Sequence, residues 1–298
     1  MTDYVICCCS TADLSAERYA EKGIQTVPFH ITVGGREYDD LINVTITQEE
    51  LFSRMVAGEK AFSSQVSTTE YENLWKPILE SGKDVFHITL SSGISGTINS
   101  AMVAKDNLSD KYPDRKIVVL DSLNGSAGYG MLVDSAADKK AEGLSIDELE
   151  KWVLDNRESF NTWVLSTDLT FLIMGGRVKP LAGAIGKALG ICPFVTLAKD
   201  GSLVVPMKAR NKKKAIRQLV DVMAERADNG TDYDGKCFIA HCADPELANA
   251  VKDQVEEVFP QLSGKVETFL VGATIGVHLG PHTVVLFFKG ALRDAETN

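Results

Sequence analysis

Hydroxyls and glycines gather at four points along the 298-residue chain. They are Cys9-Ser10-Thr11, Ser63-Ser64-Gln65, Ser91-Ser92-Gly93-Ile94-Ser95-Gly96-Thr97 and Asp121-Ser122-Leu123-Asn124-Gly125. Three of them directly follow an apolar run that reads as a strand, and ligands of open parallel sheets bind outside the carboxyl ends of strands. In the Ser91–Thr97 turn, Gly93 and Gly96 would let the backbone approach a ligand. The helix that follows would offer free N–H groups to an anion. A carboxylate or phosphate could be held there without a positive side chain. The same hydroxyls also suit ordinary helix caps that satisfy only their own backbone, and both readings stand. The turn is not a Walker loop, since no GK[ST] follows it, and it is not GxGxxG.

Two arginines and one histidine add to this set. Met174-Gly175-Gly176-Arg177 places Arg177 after a flexible turn, and Met207-Lys208-Ala209-Arg210 places Arg210 before Lys212-Lys213-Lys214. A guanidinium suits two-point contact with phosphate or carboxylate. The alternative is a solvated helix start, although basic residues are unfavourable at that end of a helix. Three glycines in the nine residues Gly272–Gly280 surround His278 with small and apolar neighbours, which fits either a core histidine or a close-packed site. No GxSxG elbow and no HExxH occurs, so no nucleophile machinery is visible.

Composition narrows the classes further. Lys plus Arg number 31 against 41 Asp plus Glu, a net charge of −10, so nucleic-acid binding is not expected. No apolar run approaches the roughly 18 residues of a membrane span. The first residues, MTDYVICCC, lack a basic region and a cleavage site, so the expected location is the cytoplasm. The six cysteines form no CxxC pair. Cys7, Cys8 and Cys9 alternate in direction on a strand and cannot all face one metal, so they read as strand fillers and no metal site is expected.

The elements that must position these residues alternate between strand and helix. Strands are expected at Tyr4–Cys9, Asp84–Leu90 and Lys116–Leu120, and helices at Ala12–Lys22, Gly96–Leu108 and Gly125–Ala141. Capping boxes at Thr47–Glu50, Ser67–Glu70 and Ser145–Glu148 open three more helices. This order implies an α/β fold with a largely parallel sheet. The second half has strands at Thr162–Ser166, Cys237–His241, Val266–Val271 and Thr283–Lys289. A hairpin is expected around Asp200-Gly201 between Cys192–Ala198 and Leu203–Pro206. A small-residue helix is expected at Ala182–Leu189 and an amphipathic one at Asn211–Ala227. The change of texture divides the chain into domains 1–160 and 161–298.

Taken together and in order, several segments resemble the DegV family of bacterial fatty-acid-binding proteins. They are Ser10–Leu14, Ser63–Tyr71, Leu90–Ala101, Asp121–Gly130, Gly175–Val178, Ile191–Val195, Arg210–Lys213 and Gly272–Pro281. The resemblance implies a first, Rossmann-like and largely parallel domain and a second, smaller mixed-sheet α/β domain, with the ligand in the cleft between them. It implies no cofactor; the ligand is a long-chain fatty acid. One branch presents that acid to a separate ATP-dependent fatty acid kinase, which makes an acyl phosphate. Carried over by position, Ser63, Ser92, Gly93 and His278 would hold the carboxylate, and Arg177 and Arg210 would meet the kinase or the product phosphate. Membrane contact would be transient and at the surface only.

The chain departs from the family pattern in places. Cys8 and Cys9 replace Thr and Asp, Val66 replaces Pro, Cys192 stands where Lys is frequent and His282 replaces Gly. Cys9 and His282 are the departures expected to touch the head-group pocket. The leading expectation is a lipid-carrying subunit without catalysis of its own. The alternatives are a carrier or sensor without a kinase, and an acyl hydrolase using Ser92 and His278.

Overall fold

The run Tyr4–Cys9 is apolar on both faces, as a strand covered on both sides requires, and it forms the interior strand β1. The computed structural model describes residues 3–179 and 191–294. β1 lies between β2 (Gln25–Val27) and β6 (Asp84–Thr89), and β7 (Ile117–Asp121) follows β6, giving a four-stranded, all-parallel sheet. Cys7, Cys8 and Cys9 are all fully buried, and Cys9 Sγ lies 3.3 Å from Tyr71 Oη inside the first core. Burial pushes the Cys9 thiol up to about 11, so it stays protonated. Among the described residues no cluster of His, Cys, Asp and Glu could hold a metal ion.

The helix expected from Ala12 begins later. Asp13 takes a left-handed backbone (φ 51) and ends a short 3-10 turn, so α1 runs only over Ala16–Lys22, capped by Ser15 Oγ accepting from Arg18 N–H at 3.2 Å. The capping boxes open α2 (Gln48–Val56), α3 (Thr68–Glu80) and α6 (Ile146–Asn156). At Ser67 and Ser145 the box is complete in both directions. At Thr47 the glutamate Glu50 pairs instead with Arg54 one turn on. A three-stranded antiparallel sheet went unread in the sequence: β3 (His30–Val33) lies between β4 (Arg36–Asp39) and β5 (Ala61–Ser64).

The second half builds one mixed sheet, in the order β10-β9-β8-β13-β11-β12. Its strands are β8 (Phe160–Leu165), β9 (Cys192–Leu197), β10 (Leu203–Ala209), β11 (Cys237–Cys242), β12 (Glu267–Leu270) and β13 (Thr283–Lys289). Only β11 and β12 run parallel. The alternation of β8 and β13 divides the core. Trp163, Leu165, Leu286 and Phe288 join α8 (Lys212–Arg226) and α9 (Pro245–Val258), while Val164, Val285 and Phe287 face the first half. Two α/β halves, one with a parallel and one with a mixed sheet, are what the sequence implied. The helix expected at Ala182–Leu189, with Ala182, Gly183, Ala184 and Gly186, lies outside the described residues.

The helix between the two sheets is α5 (Ser126–Ala141), which touches β1 on one side and β8, β11 and β13 on the other. Its small residues make this possible. A Cβ on Gly130 would stand 2.2 Å from the Ala12 carbonyl, and one on Gly128 would stand 2.7 Å from the Phe287 ring. Farther along α5, the fully buried Asp134 joins both halves. It accepts from Arg18 of α1 at 3.4 Å and from Lys236 before β11, and Lys236 also reaches Asp138. In Asp134→Ala, Arg18 keeps Glu267 and Lys236 keeps Asp138, so the expected cost is that of the lost charged hydrogen bonds, about 1.5 kcal/mol, and an unchanged urea midpoint would contradict this.

Candidate functional site

Where the parallel sheet, the three-stranded sheet and the mixed sheet approach one another, a cavity of about 280 Å³ opens. Its wall is mixed in chemistry. Leu90, Val164, Leu197, Leu203, Leu279 and Val285 are among its apolar residues. Ser63, Gln65, Ser95, Arg177 and His278 line it too, as do the hydroxyl residues Ser126, Thr162 and Thr274.

The polar residues come from distant pieces of chain. Strand pairing of β5 with β3 sets Ser63 opposite Ile31, and α10 (Ala273–Leu279) packs against both strands. Ser63 Oγ and His278 Nε2 meet at 2.8 Å across 215 residues of sequence. The other ring nitrogen of His278 faces Gly175 and has no hydrogen-bond partner; a Cβ on Gly175 would stand 2.3 Å from it. Burial first, and the Arg177 charge second, bring the His278 pKa down to about 4, so the ring is neutral at pH 7. Arg177 follows α7 (Thr170–Met174). Its guanidinium donates to the carbonyl of Gly175 and, at 3.4 Å, to that of Ile94. Burial lowers its pKa, and no carboxylate among the described residues offsets that. A half-buried guanidinium whose partners among the described residues are carbonyls leaves room for an anion.

The neutral His278 has a consequence for stability. An unfolded histidine titrates near 6.5. Below that pH the unfolded chain binds a proton that folded His278 refuses until about 4. The stabilising contribution is present above about pH 6.5 and is lost as the pH falls toward 4. His278→Gln should decline less steeply in urea midpoint over that window, and an equally steep decline would refute the assignment.

Ser92 and Gly93 are elsewhere. Both are exposed and neither lines the cavity. The Ser92 N–H donates to the Asp121 carboxylate at 3.2 Å, and Ser92 makes no pair with His278, so the hydrolase arrangement is not assembled. Gly93 lies under the tip of the β9–β10 hairpin, where a Cβ would stand 2.3 Å from Gly201 C and Ser202 N. Ser91 Oγ donates to the Gly201 carbonyl at 2.8 Å and fastens the same tip. The first half of the glycine-serine turn thus docks the hairpin, and its second half, Ser95-Gly96, faces the cavity at the start of α4 (Thr97–Ser109).

Arg210 is exposed just past β10 and does not line the cavity. The adjoining Lys212–Lys214 run begins a helix capped by Asn211 Oδ1, which accepts from the Lys214 N–H at 2.9 Å. Two departures from the family pattern also fall away from the cavity. Cys9 points at Tyr71 and His87, and the exposed His282 donates to Asp244 at 3.1 Å. Three lining hydroxyl residues were not expected from the sequence: Thr162 on β8, Ser126 and Thr274. Ser126 starts α5 with a left-handed backbone (φ 53), and Thr274 stands one helical turn before His278.

Residues 5–290 match the family described as uncharacterised proteins of the DegV family. The chain belongs to the DegV family. Among curated DegV domain-containing proteins, one from Clostridium perfringens is 29% identical over 294 residues, covering 99% of this chain and 100% of the relative. One from Clostridium acetobutylicum is 30% identical, covering 94% and 95%. Solved DegV-family structures share the fold. A Thermus thermophilus DegV family protein described for its fatty acid binding superposes with a TM-score of 0.84 at 24% identity, covering 97% of this chain and 100% of its own. The Streptococcus pneumoniae Fatty Acid Kinase B3 protein, loaded with linoleic acid, gives 0.82 at 22% identity, with 97% and 99% covered.

Proposed function

We propose that this DegV protein binds a long-chain fatty acid in the cavity and presents its carboxylate to a separate ATP-dependent kinase for acyl phosphate formation. The observation that carries the reading is one cavity whose largely apolar wall also holds the Ser63–His278 pair and an Arg177 whose hydrogen-bond partners among the described residues are carbonyls. The carboxylate takes hydrogen bonds from Ser63 and Arg177, and Ser95-Gly96 approach from the start of α4.

Magnitudes assign the roles. About fifteen methylenes at about 0.8 kcal/mol each give roughly 12 kcal/mol gross, before the cost of ordering the chain. Each hydrogen bond to the charged head adds about 1.5–3 kcal/mol. The tail supplies most of the affinity, and the head-group contacts set which end faces out. The chain is the carrier and not the catalyst, and it needs no cofactor. Among the described residues, no helix is long and apolar enough to cross a membrane.

Titration with a fluorescent long-chain fatty acid tests the binding half. Saturable one-to-one uptake, competed by hexadecanoic acid, is expected; no uptake would refute it. For the kinase half, Arg210→Ala is expected to bind the acid normally yet support less acyl phosphate formation with a fatty acid kinase. Equal product from variant and wild type would remove Arg210 from the interface.

A further inference from the structure

The sheet that carries Ser63 has two faces. Ser63 is paired with Ile31 and shares its face toward α10, where Ser63 Oγ meets His278. Side chains alternate along a strand, so the next pair, Ser64 and His30, lies on the opposite face. There both ring nitrogens of His30 face a carboxylate. Nδ1 lies 3.0 Å from Asp39 Oδ1 on β4, and Nε2 lies 2.7 Å from Glu70 Oε1 on α3. Glu70 is itself fixed, because its other oxygen accepts from the Ser67 N–H at 2.8 Å in the capping box that opens α3. His30 thus ties the three-stranded sheet to the start of α3, with only Gln65, Val66 and Ser67 between β5 and that helix.

The tie depends on charge. A neutral imidazole carries one N–H and donates to one partner; two carboxylate partners need both nitrogens protonated. On the same face β4 also carries the exposed Glu37, and β5 carries the uncharged Phe62 and Ser64. Burial works against a charged ring, but Glu70 and then Asp39 outweigh it and raise the His30 pKa above its ordinary value near 6.5. The side chain is 15% exposed, so the ring exchanges its proton with solvent. The hold is complete below about pH 6.5 and is lost as the pH rises through the folded value, which lies higher. Loss of the proton leaves one carboxylate facing a lone pair, and one of the two ties breaks.

We propose that His30 is a positioning residue for the head-group pair: its imidazolium clasps the three-stranded sheet to α3 and so keeps Ser63 against His278, and carboxylate binding weakens when the ring gives up its proton. This inference rests on the fatty-acid reading of the cavity and deepens it by naming what sets the pH dependence of the same site.

The test measures the affinity for hexadecanoic acid and for its methyl ester at about pH 6.5 and about pH 9, together with the His30 ring titration by NMR in protein without added acid. The wild type should lose about fivefold in acid affinity at the higher pH, the equivalent of the roughly 1 kcal/mol that a partly exposed ion pair contributes, with the ester unchanged. His30→Gln carries no charge and should bind the acid equally at both pH values, near the wild type's level at high pH. Glu70→Gln keeps the capping box, which takes Gln as well as Glu, and should flatten the profile in the same way while moving the His30 midpoint down. An unchanged wild-type affinity across the two pH values overturns the inference and leaves fatty acid binding intact. So does a His30→Gln variant as sensitive to pH as the wild type, or a wild-type His30 midpoint at or below about 6.5. Absence of acid uptake at either pH would instead overturn the underlying reading.

Discussion

Ser63→Ala combined with Arg177→Ala is expected to weaken binding of a long-chain fatty acid by at least about a hundredfold, while leaving its methyl ester unaffected. Each lost hydrogen bond to the carboxylate is worth about 1.5–3 kcal/mol, and 1.4 kcal/mol is a factor of ten. The double variant also removes the one guanidinium that lines the cavity among the described residues, so the buried carboxylate would lose that counter-charge. The methyl ester carries no charge, and its tail meets the same wall. The ratio of acid to ester affinity therefore isolates the head group from the packing of the tail. A parallel fall for acid and ester would mean that the substitutions had disturbed the cavity and that the carboxylate lies elsewhere.

The second large effect concerns the hairpin. A Cβ at Gly93 would stand 2.3 Å from backbone atoms of Gly201 and Ser202, and backbone cannot swing aside as a flexible side chain can. Gly93→Ala must lift the tip of β9–β10 and break the bond from Ser91 Oγ to the Gly201 carbonyl. Forcing extra volume into a packed site costs about 1–3 kcal/mol, and the upper part of that range is expected here. The same hairpin carries Leu197 and Leu203 of the apolar wall. Release of bound acid should therefore quicken about tenfold, as followed by transfer to an excess of lipid vesicles. Wild-type stability with a wild-type release rate would show that the turn does not fasten the hairpin.

Much of this architecture could be read from residue patterns. The apolar runs at Tyr4–Cys9 and Asp84–Thr89 and the boxes at Ser67 and Ser145 each report a local interaction, and each reappears as an element. The sheet β4-β3-β5 was not legible. Its strands have only four residues each, and their alternation of polar and apolar is too short to stand out from a loop. The site was legible to the same degree. Ser63, His278 and Arg177 reach the cavity. Within Ser91–Thr97, sequence cannot say which serine faces the ligand, because the choice is made by a hairpin tip 110 residues away. Likewise, the fit of Gly128 and Gly130 between two sheets depends on Phe287 and Ala12, which no local pattern relates to them.

Native mass spectrometry of the freshly purified protein, followed by denaturation and lipid analysis, tests the central claim most directly. The expected result is one mass excess per chain equal to that of a long-chain fatty acid, lost on denaturation and recovered in the organic extract. Protein that is empty on purification and stays empty after incubation with fatty acids would contradict it, and the Ser63–His278–Arg177 end of the cavity would then belong to another anion.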